Sequence, residues 1–352
     1  MAKKRKTLVK DFGEIVASGE LAAFQQVFTR CEATATGGYA KGCALHFYNL
    51  TDEMIRWLVG FGCPIDTVNT YNRTALHHMA SVRGQSIEIY LELGADVNAV
   101  DIYGNTPLHF AAGSGFSPEN VKLLLEHGAK PLAQNKEGQI PLERALVRAS
   151  NMDIAPLAEI ARILLPYGNG VTEQMRRQIT RIGEGFEFYR HDFNPEFLPE
   201  TDEALTRLYG LFGVEPVAKR IIFDGKAPIK VLSNTWQKQF DELWDLLVPG
   251  RGAASTVQGE VIRICGKVTR EIWDNGAVNW SRSYKKLPQA LPAYCAMGSR
   301  LEPEDNKELE RLANGISANS DISQLDRLTE LVVKWVLLNP SPIVLSSVEY
   351  DR

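Results

Sequence analysis

The sequence predicts a mainly α-helical protein in two parts: a solenoid of short helix pairs joined by turn tips, then a mostly helical C-terminal domain. A Leu-His phrase recurs at Leu45, Leu76 and Leu108, in steps of 31 and 32 residues, and an apolar helix ending at a glycine follows each copy. A fixed period of about 30 residues is typical of stacked repeat proteins. Beyond about residue 190 the phrase disappears while helical periodicity continues.

Composition excludes several classes of protein. The chain has 352 residues, of which 44% are hydrophobic and 23% charged, as in folded proteins of two domains. A net charge of −4 gives no overall basic field, so no nucleic-acid partner is expected. Apolar runs are too short for a membrane span or a secretory signal, which predicts a cytoplasmic protein without membrane contact. Five cysteines without a C-x-x-C pair indicate reduced thiols.

The N-terminal residues are expected to form a tail and a cap. Residues 1–9 are strongly basic and predict a flexible, solvated tail. Residues 10–36 contain two short helical patterns without the Leu-His phrase. A repeat stack needs polar end caps, so we expect this segment to close the first domain, residues 10–190, at its N-terminal side.

The repeated phrases carry a family resemblance. They read GCALHFYNL from Gly42, RTALHHMAS from Arg73 and NTPLHFAAG from Asn105, and a degenerate copy, QIPLERALV, begins at Gln139. They resemble ankyrin repeats, whose unit is about 33 residues with a T-P-L-H-x-A signature. The resemblance covers about four repeats over residues 39–170 and implies a non-catalytic module that binds protein partners.

Local chemistry agrees with this reading. Thr106 and Pro107 suit a helix start, because Thr can accept from free N–H groups and Pro lacks one. Glycines or asparagine stand where helices should stop or turns need positive φ: Gly62, Gly94, Gly128, Asn72, Gly104 and Gly138. The resemblance implies that the motif histidines, His46, His77 and His109, are structural. Glu143 replaces the histidine in the fourth copy, as terminal repeats often vary.

The C-terminal part is predicted to be a separate helical domain, residues 191–352. An apolar stripe over residues 171–186 predicts a joining helix, and residues 190–202, with two prolines, a boundary. Helical periodicity returns in residues 202–213, 234–247, 260–273, 306–315 and 323–338, and residues 219–225 and 228–232 resemble strands. The domain contains one histidine, His191, which favours a non-catalytic role.

Residues 248–269, VPGRGAASTVQGEVIRICGKVT, test whether the protein binds a nucleotide. A phosphate loop needs Gly five places before the Gly of "GK" and Ser or Thr after the Lys, but Val261 and Val268 stand there. Ser255 and Gln258 instead fit a capping box that opens a buried helix, with its charged residues in surface ion pairs. An anion site at the start of this helix stays open as an alternative.

The leading hypothesis is an interaction protein without cofactor or metal. In ankyrin proteins the turn tips and first helices along the concave face hold the partner, and the resemblance carries that role to residues of this chain. These residues are Thr70, Tyr71, Arg73, His78, Ile102, Tyr103, Asn105, Phe110, Ser114, Phe116, Lys136, Glu137 and Gln139. Tyr and Arg dominate interface energetics, so Tyr71 and Tyr103, with Arg73, are expected to contribute most.

Three roles are left open by the sequence. The protein partner could be a toxin that a bacterial immunity or antidote protein occludes. It could also be a protein that an adaptor joins to a second one through the C-terminal domain. The third alternative makes the C-terminal helical domain an enzyme or a small-ligand-binding domain, with the repeats as its targeting module.

Overall fold

The computed structural model describes residues 3–348 and Tyr350, and this part of the chain is mostly helical. The chain divides into two compact units. The first contains the described residues up to Gly185 together with Pro195–Val217. The second contains Phe186–Asn194 and the described residues from Ala218 onward.

A small sheet and two helices precede the repeats. In chain order they are β1 (Arg5–Thr7), α1 (Phe12–Ala17), α2 (Leu21–Phe28), β2 (Cys31–Gly37) and β3 (Gly42–Cys43). Strand β2 is central, with β1 parallel and β3 antiparallel to it. The basic segment expected to be a flexible tail therefore includes a strand, because Arg5 donates its N–H to the Arg30 carbonyl, 2.8 Å away, and Leu8 to that of Thr36. Met1 and Ala2 lie outside the described residues.

The helix pairs of the repeats follow. They comprise a 3₁₀ turn (Ala44–His46), α3 (Asp52–Gly60), α4 (Ala75–Ala80), α5 (Glu88–Glu92), α6 (Pro107–Phe110), α7 (Pro118–Glu126), α8 (Pro141–Arg148) and α9 (Ile154–Leu164). Helix α6 continues as a π-helical turn, Ala111–Gly115. First helices pack side by side, α4 with α6 and α6 with α8, and the second helix α7 packs with α9. Residues 44–164 thus repeat one helix pair four times, the first pair opening with only a 3₁₀ turn.

Backbone signals in the sequence are confirmed at the repeat turns. Gly62, Gly94 and Gly128, which follow the second helices, have positive φ, as left-handed helix ends require. At the turn tips, Asn72 has φ of 55° and Gly104 has φ of 76°. The tips therefore need residues that tolerate this region, which β-branched side chains do not.

Two longer helices follow the repeats, and the division between the units falls within the first of them, after Gly185. Helix α10 (Glu173–Tyr189) confirms that the predicted apolar stripe is helical, and α11 (Leu198–Phe212) packs against α9. A 3₁₀ turn, Arg190–Asp192, lies between them. The predicted division at residue 190 differs from the units of the structure, since α11 buries Leu205, Leu208 and Phe212 within the first unit.

The second unit is a bundle of five helices within residues 236–338, all of which are described. They are α12 (Trp236–Leu247), α13 (Val257–Thr269), α14 (Arg282–Cys295), α15 (Pro303–Gly315) and α16 (Ile322–Leu338). Helix α13 packs against α12, α14 and α16, so it forms the centre of the core. The sequence missed α14 because Pro288 and Pro292 lie inside it, where each removes a helix hydrogen bond.

The two segments that resembled strands are irregular instead. Residues 219–225 and 228–232 have no neighbouring strand to pair with, and several of their apolar side chains face solvent, including Ile221 and Leu232. Arg220 donates to the carbonyls of Phe188 (2.9 Å), Asp245 (2.7 Å) and Val248. The Arg220 side chain thus fastens residues 219–225, and a main-chain bond from the Ile229 N–H to the Pro340 carbonyl, 2.8 Å long, fastens residues 228–232.

The start of α13 differs from the predicted capping box by one residue. Thr256, not Ser255, caps the helix by accepting from the Gly259 N–H. Gln258 is fully buried and donates to the carbonyls of Asn339 (2.9 Å) and Ser341 (2.8 Å). Its role is therefore to hold the segment after α16 rather than to cap its own helix.

Candidate partner-binding surface

The turn tips of successive repeats are joined by main-chain hydrogen bonds. Each tip donates to the one before it: the N–H of Thr70 to the Ala40 carbonyl (3.0 Å), that of Ile102 to Tyr71 (3.0 Å) and that of Lys136 to Tyr103 (2.9 Å). This row of bonds sets a regular spacing between equivalent side chains. The predicted tip residues of three repeats therefore form one continuous row.

Each tip is organised by one side chain that the sequence analysis missed. The Asp101 carboxylate accepts from the N–H groups of Tyr103 and Asn105, both at 2.9 Å. Asn69 and Asn135 make the same bonds in the neighbouring repeats. A short side chain that bonds the backbone two residues on is a known turn former. The recurrence of Asn or Asp four residues before Arg73, Asn105 and Gln139 was the available signal.

Most of the predicted contact residues are accessible. Ile102 is 41% and Tyr103 49% exposed, and Thr70, Lys136 and Glu137 are also exposed. A second group is half-buried: Tyr71, Arg73, His78, Ser114 and Gln139. These ten residues define what we call the contact surface.

Three predicted contact residues are buried and are removed from this surface. Asn105 bonds the Asp101 carboxylate and accepts from Asn135 at 3.0 Å, so its amide is fully used inside the tips. Phe110 is 5% and Phe116 7% exposed. The ring of Phe110 is covered by neighbouring arginines, and Phe116 has φ of 45° at the end of the π-helical turn. The sequence could not show this, because arginines from two other repeats cover the ring.

The motif histidines connect each repeat to the next. His77 Nδ1 accepts from the Thr74 N–H at 3.2 Å, so the proton lies on Nε2, which donates to the Asn105 carbonyl at 3.1 Å. His109 repeats this with Thr106 and with the Gln139 carbonyl, 3.0 Å away. Burial lowers the pKa of His77 and of His109 to about 4, so both rings are neutral at physiological pH. The structural role implied for them is confirmed.

His78 belongs to the contact surface rather than to this structural set. Its ring stacks on Tyr48 with centroids 4.6 Å apart. Burial, together with the nearby charges of His46 and Arg73, lowers the pKa of His78 to about 4. The ring is therefore a neutral aromatic group on the surface.

Arginines surround the centre of the contact surface. The Arg73 guanidinium lies 4.7 Å from the Phe110 ring centroid and 5.4 Å from that of Tyr71. Arg144, from the fourth repeat, lies 5.3 Å from the same Phe110 ring. Arg73 also pairs with the Asp101 carboxylate at 3.1 Å. Tyr71 and Phe110 thus provide the rings against which the two arginines are held.

Sequence reasoning missed two accessible groups here. Tyr39 is 95% exposed and stands in the turn of the first repeat, one residue before Ala40, which accepts from the next tip. Arg144 occupies the same motif position as His78 and Phe110. Aligning the degenerate copies position by position would have found both.

The second unit contains a cavity of about 410 Å³ that could serve the alternative ligand-binding role. Its wall includes Glu187, Arg190, His191 and Arg220. Arg190 makes a two-point ion pair with Glu187, at 2.7 and 2.8 Å, and Arg220 donates to backbone carbonyls. Both cations therefore already have partners within the protein.

The glycine-containing loop before α13 is poorly suited to binding an anion. The Ala254 N–H donates to the Glu260 carboxylate (2.9 Å), and the Val257 N–H donates to the Ile343 carbonyl (2.8 Å). A Cβ added at Gly250 would lie 2.4 Å from the Asp192 carboxylate. The use of the Ala254 N–H by Glu260 and the negative charge of Asp192 both oppose an anion at this loop.

Two further observations concern the described residues, 3–348 and Tyr350. None of their helices combines the length and the apolar character that crossing a bilayer requires. Among the same residues, no three His, Cys, Asp or Glu side chains come together in a way that could hold a metal ion.

Comparison with known proteins identifies the repeats. The family model described as ankyrin repeats matches in three copies, over residues 41–135 and 78–175. The N-terminal region therefore contains ankyrin repeats, as the resemblance predicted, and the degenerate fourth phrase falls within the second range. No curated protein matches the chain.

Proposed function

We propose, from the premise that residues 41–175 are ankyrin repeats, that this protein is non-catalytic and binds a protein partner through the contact surface. Ankyrin repeats are interaction modules, and the row of turn tips is the observation that supports this surface. Its exposed side chains, among them Thr70, Ile102 and Tyr103, stand on a backbone that is fixed from repeat to repeat.

The physical argument is preorganisation. Binding orders loops and side chains at a cost in entropy, and that cost falls when the backbone already has its bound geometry. Tyr71 and Tyr103 follow one another along the row, and aromatic side chains contribute large contact area with few rotatable bonds. The row therefore favours a partner that contacts several consecutive tips.

The test is affinity capture from a lysate of the protein's own source, with the intact protein and with Tyr71→Ala/Tyr103→Ala. The matched control is Tyr167→Ala, because Tyr167 is 50% exposed but lies in a turn after α9. We expect one stoichiometric protein that the double variant loses and the control retains. Equal capture by both variants would contradict the proposal.

The identity of the captured protein separates the finer roles. A toxin whose activity is blocked in the complex would make the protein an antidote. Two partners, one retained by the double variant, would make it an adaptor with a second contact in the C-terminal unit. The enzymatic alternative would rest on the 410 Å³ cavity, whose arginines are already paired, so we favour the interaction role.

A further inference from the structure

Three arginines gather beside the Phe110 ring and the helical turn that follows it. Arg73 and Arg144 both lie against the Phe110 ring, at 4.7 and 5.3 Å from its centroid. Arg148, one turn beyond Arg144 on α8, is exposed and is anchored by its Nε, which donates to the Gly113 carbonyl at 2.9 Å. Three guanidinium groups from two repeats thus share one patch.

The arginines of this patch are unequally neutralised. Arg73 pairs with Asp101, whereas Arg144 and Arg148 form no ion pair with any carboxylate of the described residues. Arg144 Nε is shielded from solvent and has no acceptor within the described part of the protein. A buried polar group without a partner is costly, so Arg144 is the least satisfied of the three guanidinium groups.

Burial and the charge of Arg148 lower the pKa of Arg144, and Asp101 and Glu137 oppose this shift. The guanidinium stays charged, because even a lowered arginine pKa lies far above neutrality. Asp101 and Glu137 together balance two of the three positive charges of Arg73, Arg144 and Arg148. The patch therefore keeps one net positive charge.

We propose that the contact surface is built for an acidic segment of the protein partner, with a carboxylate seated between Arg144 and Arg148. This inference rests on the proposed function and names the partner's chemistry. A guanidinium presents its N–H groups as a fork that matches a carboxylate, and Arg144 is held in place by the Phe110 ring. Tyr71, whose ring lies 5.4 Å from the Arg73 guanidinium, adjoins the patch and suits an apolar residue beside the acid.

The balance of charge argues for a carboxylate rather than a nucleic acid. Nucleic-acid binding needs many cations along a backbone of phosphates. Asp101 and Glu137 stand in the same patch, and the whole chain carries a net charge of −4. A single acidic segment can balance the one excess positive charge without lying against Asp101 and Glu137.

The experiment uses the full chain and a display library of random 12-residue peptides as probe. Peptides enriched on the intact protein are synthesised, and their affinity is measured by fluorescence anisotropy at low and high salt. We expect enrichment in Asp and Glu, and about tenfold or more weaker binding with Arg144→Gln or Arg148→Gln. The matched control is Arg177→Gln, because Arg177 is exposed on α10 and contacts only neutral Gln174 among the described residues.

A second variant guards against a change in folding. Arg144 packs against Gly113, so Arg144→Lys keeps the charge and most of the stem while removing the fork. We expect Arg144→Lys to bind with an affinity between those of the intact protein and Arg144→Gln, with unchanged thermal melting.

Several results would overturn the inference. The first is a set of enriched peptides without acidic residues, or no enrichment at all. The second is an affinity that is the same in the intact protein and in both arginine variants. The third is a 20-nucleotide oligothymidine that binds more tightly than the enriched peptides. Peptides that lose binding with Tyr71→Ala/Tyr103→Ala but not with Arg144→Gln would overturn the acidic segment and leave the proposed function standing.

Discussion

The two units treat buried polar groups in different ways. In the repeats, His77 and His109 make the same pair of bonds, one within the repeat and one to the next. In the second unit, Glu260 and Arg263 are fully buried on α13 and pair at 2.5 Å, and Tyr350 donates to the same carboxylate. The first arrangement recurs along the chain, and the second occurs once and joins residues 90 positions apart.

This difference shows where local reasoning works. A repeat interacts with its neighbours alone, so the period of the sequence reveals the contacts of the structure. The carboxylate of Glu260 was expected in a surface ion pair, because Arg263 follows it three positions later on a helix. Its burial depends on the distant Tyr350, which no local pattern reports.

The largest expected effect tests the second unit. Arg263→Leu leaves the buried Glu260 carboxylate without its main partner, and we expect it to lower the free energy of unfolding by about 3–5 kcal/mol. Urea denaturation followed by circular dichroism measures it. In the control Arg311→Leu, the lost ion pair to Glu308 is exposed on α15, so the expected change is below about 1 kcal/mol. Similar losses in both variants would mean that burial of the Glu260–Arg263 pair adds nothing to its contribution to stability.

The next effect tests the repeats. His77→Ala removes a capping acceptor and a bond to the following repeat, and leaves the Thr74 N–H and Asn105 carbonyl unpaired. We expect a loss of about 3 kcal/mol, from two buried groups at about 1–3 kcal/mol each. Glu143→Ala is the matched variant, because Glu143 accepts from the Ile140 N–H but makes no bond to a further repeat among the described residues. We expect Glu143→Ala to lower the free energy of unfolding by about 1 kcal/mol. Equal losses in the two variants would mean that the bond from His77 to the Asn105 carbonyl does not stabilise the protein.

The dependence on pH separates the two regions. The folded state holds His77 and His109 neutral down to about pH 4, whereas the unfolded chain binds protons below its ordinary pKa of about 6.5. Stability is complete above that value and falls as the pH decreases, by about 2 kcal/mol per histidine at pH 5. Urea titrations at pH 7.5 and 5 should show this loss, and His77→Gln/His109→Gln should reduce it.

The second unit should respond in a more acidic window. Burial alone would raise the pKa of Glu260, but hydrogen bonds from Arg263, Tyr350 and the Ala254 N–H outweigh it and hold the pKa below its usual range. Its contribution to stability is therefore present above about pH 4.3 and is lost as the pH falls through the folded pKa. Glu260→Gln should therefore leave the change in the free energy of unfolding between pH 7.5 and pH 5 as it is in the intact protein. A different change in this range would contradict a lowered pKa of Glu260.

The smallest effect concerns the turn tips. Gly138 has φ of 74° and open space around its Cα, so Gly138→Ala should cost about 1 kcal/mol, from the left-handed conformation alone. Gly104→Ala should cost more, because the added Cβ would lie 3.0 Å from the Lys136 nitrogen in the next tip. Thermal melting of the two variants compares them. Equal losses would mean that the tips are not closely packed.

The sequence predicted the repeats well and the second unit only in outline. Gly104 and Pro107 determine local backbone conformation, and their effects appear in the structure as expected. The burial of Phe110 was not predictable, since it depends on arginines from the second and fourth repeats. Helix α14 was missed because tertiary packing of Leu287 and Leu291 outweighs the propensity of its two prolines.

In the row of turn tips, main-chain bonds set the spacing while side chains make the contacts with a partner. Peptide groups, which every residue possesses, set the distance from one tip to the next, so exchanging Tyr71, Tyr103 or Glu137 changes what the surface offers and not where it offers it. Selection can therefore act on these side chains one at a time without first repairing the fold. A repeat array of this kind can acquire a new partner through point substitutions, and its history is expected to show faster change at the tips than at His77 or His109.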